Sequence, residues 1–423
     1  MVATRRGFLH QAGACAAGAT LASVACAAPP ESRPTQRTKP TLIAVYLRGG
    51  ADPLGTIVPY ADANLARWRP NLALPGPGGA GPNRVLPADG TFGFNPNMAA
   101  LHAMYERGHC APIVCVGSPH GTRSHFDAQD FMERGAPGEK LISTGWLNRY
   151  LEATKSKSDA NLRAISLQPL LPRSMRGKYS VLAKPDQKAE LALSTYAKLY
   201  PGEMPRKTFG RSDPLGAQTR GAIQQFGART IEQLRELQEV LDKSPAATVK
   251  YPNSEFSRQL ADLAKVVKAN RGLEVTALDY GGWDHHINEG PATGQLGRML
   301  GDVSESLRAF YEDLDAAGNR VCVLVMSEFG RTVKENGNQG TDHGHGGFML
   351  AIGAGVCGKK VYGTWNGLDE NQLYESRDLP VHTDFRVVFA EVLEGLFGFD
   401  GIREGLFPEY SAKSPPLGLM QSA

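Results

Sequence analysis

Beyond its first 28 residues this chain has no long hydrophobic run, so nothing past that point is expected to span a membrane. It has no excess of one charge either. Lys and Arg number 46 against 43 Asp and Glu, for a net charge of +3. No dense basic stripe and no RNA- or DNA-binding motif is visible, which excludes the nucleic-acid classes. Cysteine is scarce: of six, Cys15 and Cys26 fall in the first 28 residues. Cys110, Cys115, Cys322 and Cys357 show no paired zinc-knuckle spacing, and the first three sit in apolar, strand-like runs. They read as small buried hydrophobes, and their spacing fixes no disulfide pairing. No internal repeat is present.

The first residues are of another kind. Thr4-Arg5-Arg6-Gly7-Phe8-Leu9 reads as a twin-arginine signal, and the Ala/Gly-rich stretch from Ala12 to Ala28 supplies its weakly apolar core and cleavage zone. Ala25-Cys26-Ala27 fits a small-residue cleavage pattern. Ser23 stands three places before Cys26, where a lipidation signal has Leu. The expected organisation is a leader over 1–28, a Pro- and Arg-containing linker over 29–40, one domain over 41–410 and a tail over 411–423. The export machinery of the twin-arginine pathway is the implied partner.

Hydrophobic residues at 41% and charged residues at 21% are ordinary for a globular domain. Apolar runs at 41–47, 111–116, 274–278, 321–326 and 348–352 read as buried strands. Amphipathic patterns at 97–107, 256–269, 296–317 and 383–396 read as helices between them. This alternation predicts an α/β fold, a three-layer α/β/α sandwich with a mostly parallel sheet. Residues 138–253, with a helical pattern over 217–241, read as a mainly helical insert.

The unusual residues stand at strand ends. Asp52 follows the first strand; Ser124 and His125 follow the second; Asp284, His285 and His286 follow the third. Glu328 and Arg331 follow the fourth, and Asp342, His343 and His345 crowd a glycine-rich loop after them. A parallel sheet brings such ends to one edge, where acids and imidazoles together suit a divalent metal, zinc or manganese, as one ion or two. Asp284 and His286 lie two apart and share a face of an extended segment, which turns His285 away. Ser124, opening a helix, is placed as a nucleophile, and Arg331 as an oxyanion holder. Each has a structural alternative: Asp52 and Ser124 as caps, His125 as a packed helix residue, Arg331 as partner of a structural acid.

The ordered strings Leu47-Arg48-Gly49-Gly50-x-Asp52, Ser124-His125-Phe126, Gly281-Gly282-Trp283-Asp284-x-His286, Ser327-Glu328-Phe329-Gly330-Arg331-Thr332 and Gly340-Thr341-Asp342-His343-Gly344 closely resemble the exported bacterial "domain of unknown function 1501" family. That family looks like a branch of the alkaline phosphatase/sulfatase superfamily. The resemblance implies an alkaline-phosphatase-like fold and a metal-dependent hydrolase of small anionic phosphate or sulfate esters. It implies Asp52, Asp284, His286, Glu328 and His343 or His345 as ligands and Ser124 as nucleophile. Glu328 stands where the superfamily has an Asp followed by His; here Phe329 follows, so one expected ligand is missing. The formylglycine signature of sulfatases needs an arginine that Cys110-Ala111-Pro112-Ile113-Val114 lacks. An aldehyde-dependent sulfatase is therefore disfavoured. The alternative class is a non-catalytic binding or assembly protein on the same fold.

Overall fold

The computed structural model describes residues 39–184, 214–402, 405–410 and 415–421. The leader, with Arg5 and Arg6, and part of the 411–423 tail lie outside the described residues. Among the described residues, eleven strands form two sheets. β1 (Thr41–Arg48) is followed by a small three-stranded sheet of β2 (Ile57–Val58), β3 (Leu86–Pro87) and β4 (Gly93–Phe94). Then come β5 (Cys110–Gly117), β6 (Ala164–Ser166), β7 (Leu182–Ala183), β8 (Val275–Gly281), β9 (Val321–Met326), β10 (Gly347–Gly353) and β11 (Thr383–Asp384). With β1 they make an eight-stranded sheet in the order β11-β5-β10-β9-β1-β8-β6-β7. All pairings are parallel except those of β10 with β5 and β9.

The apolar runs are continuous because the sheet is buried on both faces. In β1, Ile43, Val45 and Leu47 pack into one core with the helices Ala99–Glu106, Glu255–Ala269 and Gln295–Leu314. Leu42, Ala44 and Tyr46 face the opposite core, with Trp146–Ala153 and Phe385–Phe397. This is the expected α/β/α sandwich. Local signals mark the helix ends. Ser254 Oγ accepts from Ser257 N at 3.1 Å and Asp384 Oδ1 from Arg386 N at 2.9 Å, while Asn270 and Gly398 end their helices in the left-handed region. The four described cysteines are buried, and none of them forms a disulfide among the described residues.

The stretch 138–253 is not simply an insert. It contributes β6, which pairs with β8, and β7, which pairs with β6. These strands have only three and two residues, too few to show a periodic signal.

Because β10 runs backwards, its start lies at the same edge as the ends of β1, β5, β8 and β9. The loop 340–346 therefore reaches that edge by preceding its strand. Backbone pairing continues past the sheet: Thr332 N donates to Asp342 O at 2.9 Å, Gly344 N to Gly330 O at 2.9 Å and Gly330 N to His345 O at 3.0 Å. The segments carrying Glu328–Arg331 and Asp342–His345 are thus held side by side.

Candidate metal centre

Asp284, His286 and His343 come together at this edge, joined by His125. His286 Nε2 lies 2.9 Å from Asp284 Oδ1 and 3.1 Å from His343 Nε2. His343 Nε2 lies 3.2 Å from the same Oδ1, and His125 Nε2 lies 3.4 Å from Asp284 Oδ2. Among the described residues, His125, Asp284 and His343 bring one ligand atom each within 4.8 Å of one another.

The other ring nitrogens explain the arrangement. His125 Nδ1 faces Glu328 Oε1 at 2.8 Å, His286 Nδ1 faces Asp342 Oδ1 at 3.2 Å, and His343 Nδ1 faces the Arg123 carbonyl at 2.9 Å. Each partner is an acceptor, and with the hydrogen on Nδ1 each ring presents its Nε2 inward as a lone-pair donor. Two lone pairs 3.1 Å apart repel unless a cation lies between them. The buried Nε2 of His125 makes no hydrogen bond. These separations approach the edge of a tetrahedron with bonds of about 2.0–2.1 Å. Imidazoles held from behind by acceptors are the usual support of a metal ligand. The donor set fits a divalent ion.

Two glycines allow this packing. Gly49 and Gly50 have φ of 125° and 70°. A Cβ on Gly49 would sit 2.7 Å from Asp284 N, and one on Gly50 would sit 2.6 Å from the Phe329 ring. Gly49 N also donates to Glu328 Oε1 at 2.8 Å.

Glu328 and Asp342, read from the sequence as ligands, stand behind the rings instead. Glu328 is 1% exposed and accepts from Gly49 N, His125 Nδ1 and Gln129 Nε2, all at 2.8 Å. Burial pushes its carboxyl up, but the His125 and Gln129 hydrogen bonds outweigh this and hold it below its ordinary range. The same bond is the largest influence on His125, raising it against its own burial. Burial lowers His343. Burial also acts on Asp284, but the Arg331 hydrogen bond and charge prevail and lower it.

Arg331 is fully buried and committed to the protein. Its Nη2 donates to Asp284 Oδ1 at 2.7 Å, to Trp283 O at 3.0 Å and to Gly49 O; Nε donates to Gly50 O at 2.5 Å and Nη1 to Thr341 O at 3.1 Å. It staples three loops and steadies Asp284, which corrects its reading as an oxyanion holder. Arg123 is likewise paired with Asp378 at 2.6 Å and Glu375 at 2.7 Å.

Asp52 is not brought to the cluster. It is 1% exposed, takes Arg69 Nη1 at 2.6 Å and Nη2 at 2.8 Å, and accepts from Gly55 N at 2.6 Å as a helix cap. Its oxygens are spent on a bidentate guanidinium, the correction to its reading as a ligand. His345 stacks on Tyr374, centroids 4.2 Å apart, and is 6% exposed; it too lies apart from the inward-facing nitrogens. Ser124 occupies the N-cap position of His125–Arg134, but its side chain makes no capping hydrogen bond and is exposed. Phe329, where the resemblance leads one to expect a histidine, is 3% exposed and walls the site against His125 and His343, at 4.9 and 5.1 Å between centroids.

His125, which the sequence offers equally as a packed helix residue, joins this cluster. Its signal was present: Gln129 and His125 stand four apart on one helix face, and both reach Glu328.

Residues 39–405 match the family described as "Protein of unknown function (DUF1501)", and the chain belongs to it. No curated protein matches the sequence. Among solved structures, the chain is similar to the zinc-complexed C-terminal periplasmic domain of EcEptC from Escherichia coli. The identity is 10%, covering 75% of this chain and 73% of that one, with a TM-score of 0.32. It is similar to a phosphonate monoester hydrolase of Agrobacterium radiobacter at 10% identity, 85% and 74% coverage and a TM-score of 0.31. It is similar to BT1596, a 2-O GAG sulfatase, at 10% identity, 76% and 66% coverage and a TM-score of 0.25. No helix among the described residues is long and apolar enough to cross a membrane.

Proposed function

We propose that this DUF1501-family protein is an exported, metal-dependent hydrolase of phosphate or sulfate esters. One observation carries the reading: three imidazole Nε2 atoms and one carboxylate converge at the loop edge of a mostly parallel sheet. His125, Asp284, His286 and His343 would hold the ion, and nitrogen-rich ligation suits Zn²⁺ first and Mn²⁺ second. When bound, such an ion supplies Lewis-acid stabilisation of an anionic ester.

The chain's own residues supply orientation. Glu328, Asp342 and the Arg123 carbonyl fix the three rings, Arg331 fixes Asp284, and Phe329 keeps one side dry. Ser124 is the nucleophile of this reading. Its hydroxyl is free of capping and stands at the start of a 10-residue helix, whose end favours an anion. Export rests on Arg5-Arg6 and the Ala-rich stretch after them. Replacing both arginines by lysine should leave precursor in the cytoplasm.

The test is elemental analysis of the purified protein, with a screen of phosphomonoesters, phosphodiesters and sulfate esters under added Zn²⁺, Mn²⁺ or Ca²⁺. About one bound equivalent and metal-dependent turnover are expected, given one four-donor set. A protein that neither contains nor takes up metal sinks the reading. A second reading, a non-catalytic binding or assembly protein, is favoured by the commitment of Arg123, Arg331 and Asp52 to protein partners. Stoichiometric metal without turnover on any ester class would select it.

A further inference from the structure

Beside the metal centre lies an open cavity of about 390 Å³, lined by Trp68, Lys334, Glu335, Asn336, Asp342 and Arg377 among others. Asp342 belongs to both places: its Oδ1 holds His286 Nδ1, and it is one of the residues lining the cavity. A molecule in the cavity therefore lies one residue away from a ligand histidine.

The charges on this wall are unequal in what they have left to give. Glu335 is engaged by Asn71 N at 3.0 Å and by Leu72 N at 3.0 Å, with Asn71 Nδ2 at 2.5 Å. Asp342 is engaged by His286 and by Asn336 Nδ2, each at 3.2 Å. Glu335 thus spends both oxygens on the protein, and Asp342, 53% exposed, spends its Oδ1. The two cations are less committed. Lys334 is exposed and has no acid partner among the described residues. Arg377 reaches Asp378 through Nη1 alone, at 3.2 Å to each oxygen, and its side chain is 41% exposed. Trp68, its indole N–H fixed on Leu368 O at 2.8 Å, adds a flat apolar surface.

We infer that this cavity is the subsite for the alcohol portion of the substrate, and that it selects esters whose alcohol carries a second anionic group, a carboxylate or sulfate, paired with Lys334 and Arg377. It deepens the ester reading above and rests on it for the scissile group. A cavity of this size accepts a small organic moiety.

Three non-hydrolysable probes, 6-phosphonohexanoate, hexylphosphonate and 6-aminohexylphosphonate, separate the possibilities by calorimetric titration into the metal-loaded protein. The carboxylate probe should bind about tenfold more tightly than hexylphosphonate, the sum expected from two exposed ion pairs. Lys334→Ala, at an exposed side chain, should remove part of that margin, and Lys334→Ala with Arg377→Ala should remove it all. Equal affinity of the carboxylate and plain probes, a margin that survives in the double variant, or preference for the ammonium probe overturns the inference while leaving the ester reading intact. If no phosphonate binds, the ester reading falls. The subsite is then judged with hexanoate alone: binding weakened by Lys334→Ala supports it, and no binding overturns it.

Discussion

Asp52 and Asp284 leave adjacent strands at the same sheet edge, and their carboxylates meet opposite environments. Asp52 is 1% exposed, with both oxygens on the Arg69 guanidinium. Asp284 is 44% exposed and faces three imidazoles, with one guanidinium nitrogen behind it. The two neighbouring histidines differ in where they face. His285 is 3% exposed, with neither nitrogen hydrogen-bonded, while His286 turns Nε2 to His343. A carboxylate matched by a bidentate guanidinium is finished structure. Four inward-facing donor atoms are the opposite case, and a bound ion is the partner that the proposal gives them.

The sharpest break in this comparison is a paired substitution. His343→Ala should abolish stoichiometric metal binding, since it removes a donor and leaves the rest short of a full set. Asp52→Ala should keep the metal but cost about 3–5 kcal/mol of stability, because Arg69 is left buried without its counter-charge. Elemental analysis and denaturant unfolding on both variants check this. Metal loss from Asp52→Ala with unchanged stability would reverse the assignment of the two acids.

Next in size is the support behind the rings. Glu328→Gln keeps the shape but presents a neutral amide to His125 Nδ1. Metal affinity should fall roughly 10–100-fold, read by competition with a chelator. An unchanged affinity would mean that His125 is not a ligand and that Glu328 merely holds a loop.

Much of this was legible in the sequence, and the exceptions have physical reasons. The five long strands showed as apolar runs because two-sided burial leaves no polar alternation to obscure them. The spacing of two between Asp284 and His286 matches their meeting in one cluster. Asp52 misled because a strand-end aspartate looks the same whether its partner is an ion or an arginine 17 residues on. Arg69 carries no local mark of that role. Glu328 and Asp342 stand at the Nδ1 side of His125 and His286, and sequence gives residue type but not which side of an imidazole an acid occupies. The short strands β6 and β7 needed their neighbour β8 to exist at all.

Acid separates the two regions by sign. Burial holds His285 and His345 each at about 4, below the ordinary value of 6.5. Between those values the unfolded chain binds protons that the folded chain does not. Their contribution to stability is therefore full above about pH 6.5 and lost as pH falls toward 4. His125, raised by Glu328, acts oppositely: its contribution is present below 6.5 and lost as pH rises through its folded value. In metal-free protein, melting temperature should drop on acidification from pH 6.5 to 4, and His345→Phe should shallow that drop. A slope unchanged by His345→Phe would show that the ring is already protonated against Tyr374.

The smallest expected effect concerns Ser124. A serine that caps a helix through its side chain is worth about 1 kcal/mol. Ser124 sits at the cap position without that bond, so Ser124→Ala should shift stability by less than about 0.5 kcal/mol. That near-silence makes the variant useful. A drop close to the full capping value would mean that the hydroxyl caps in solution and is not free for chemistry. If stability and metal content hold, any hydrolase activity can be compared directly between wild type and Ser124→Ala. Loss of turnover then falls on the hydroxyl alone and supports it as the nucleophile. Retained turnover moves that role to water and leaves Ser124 as a solvent-facing residue beside a ligand histidine.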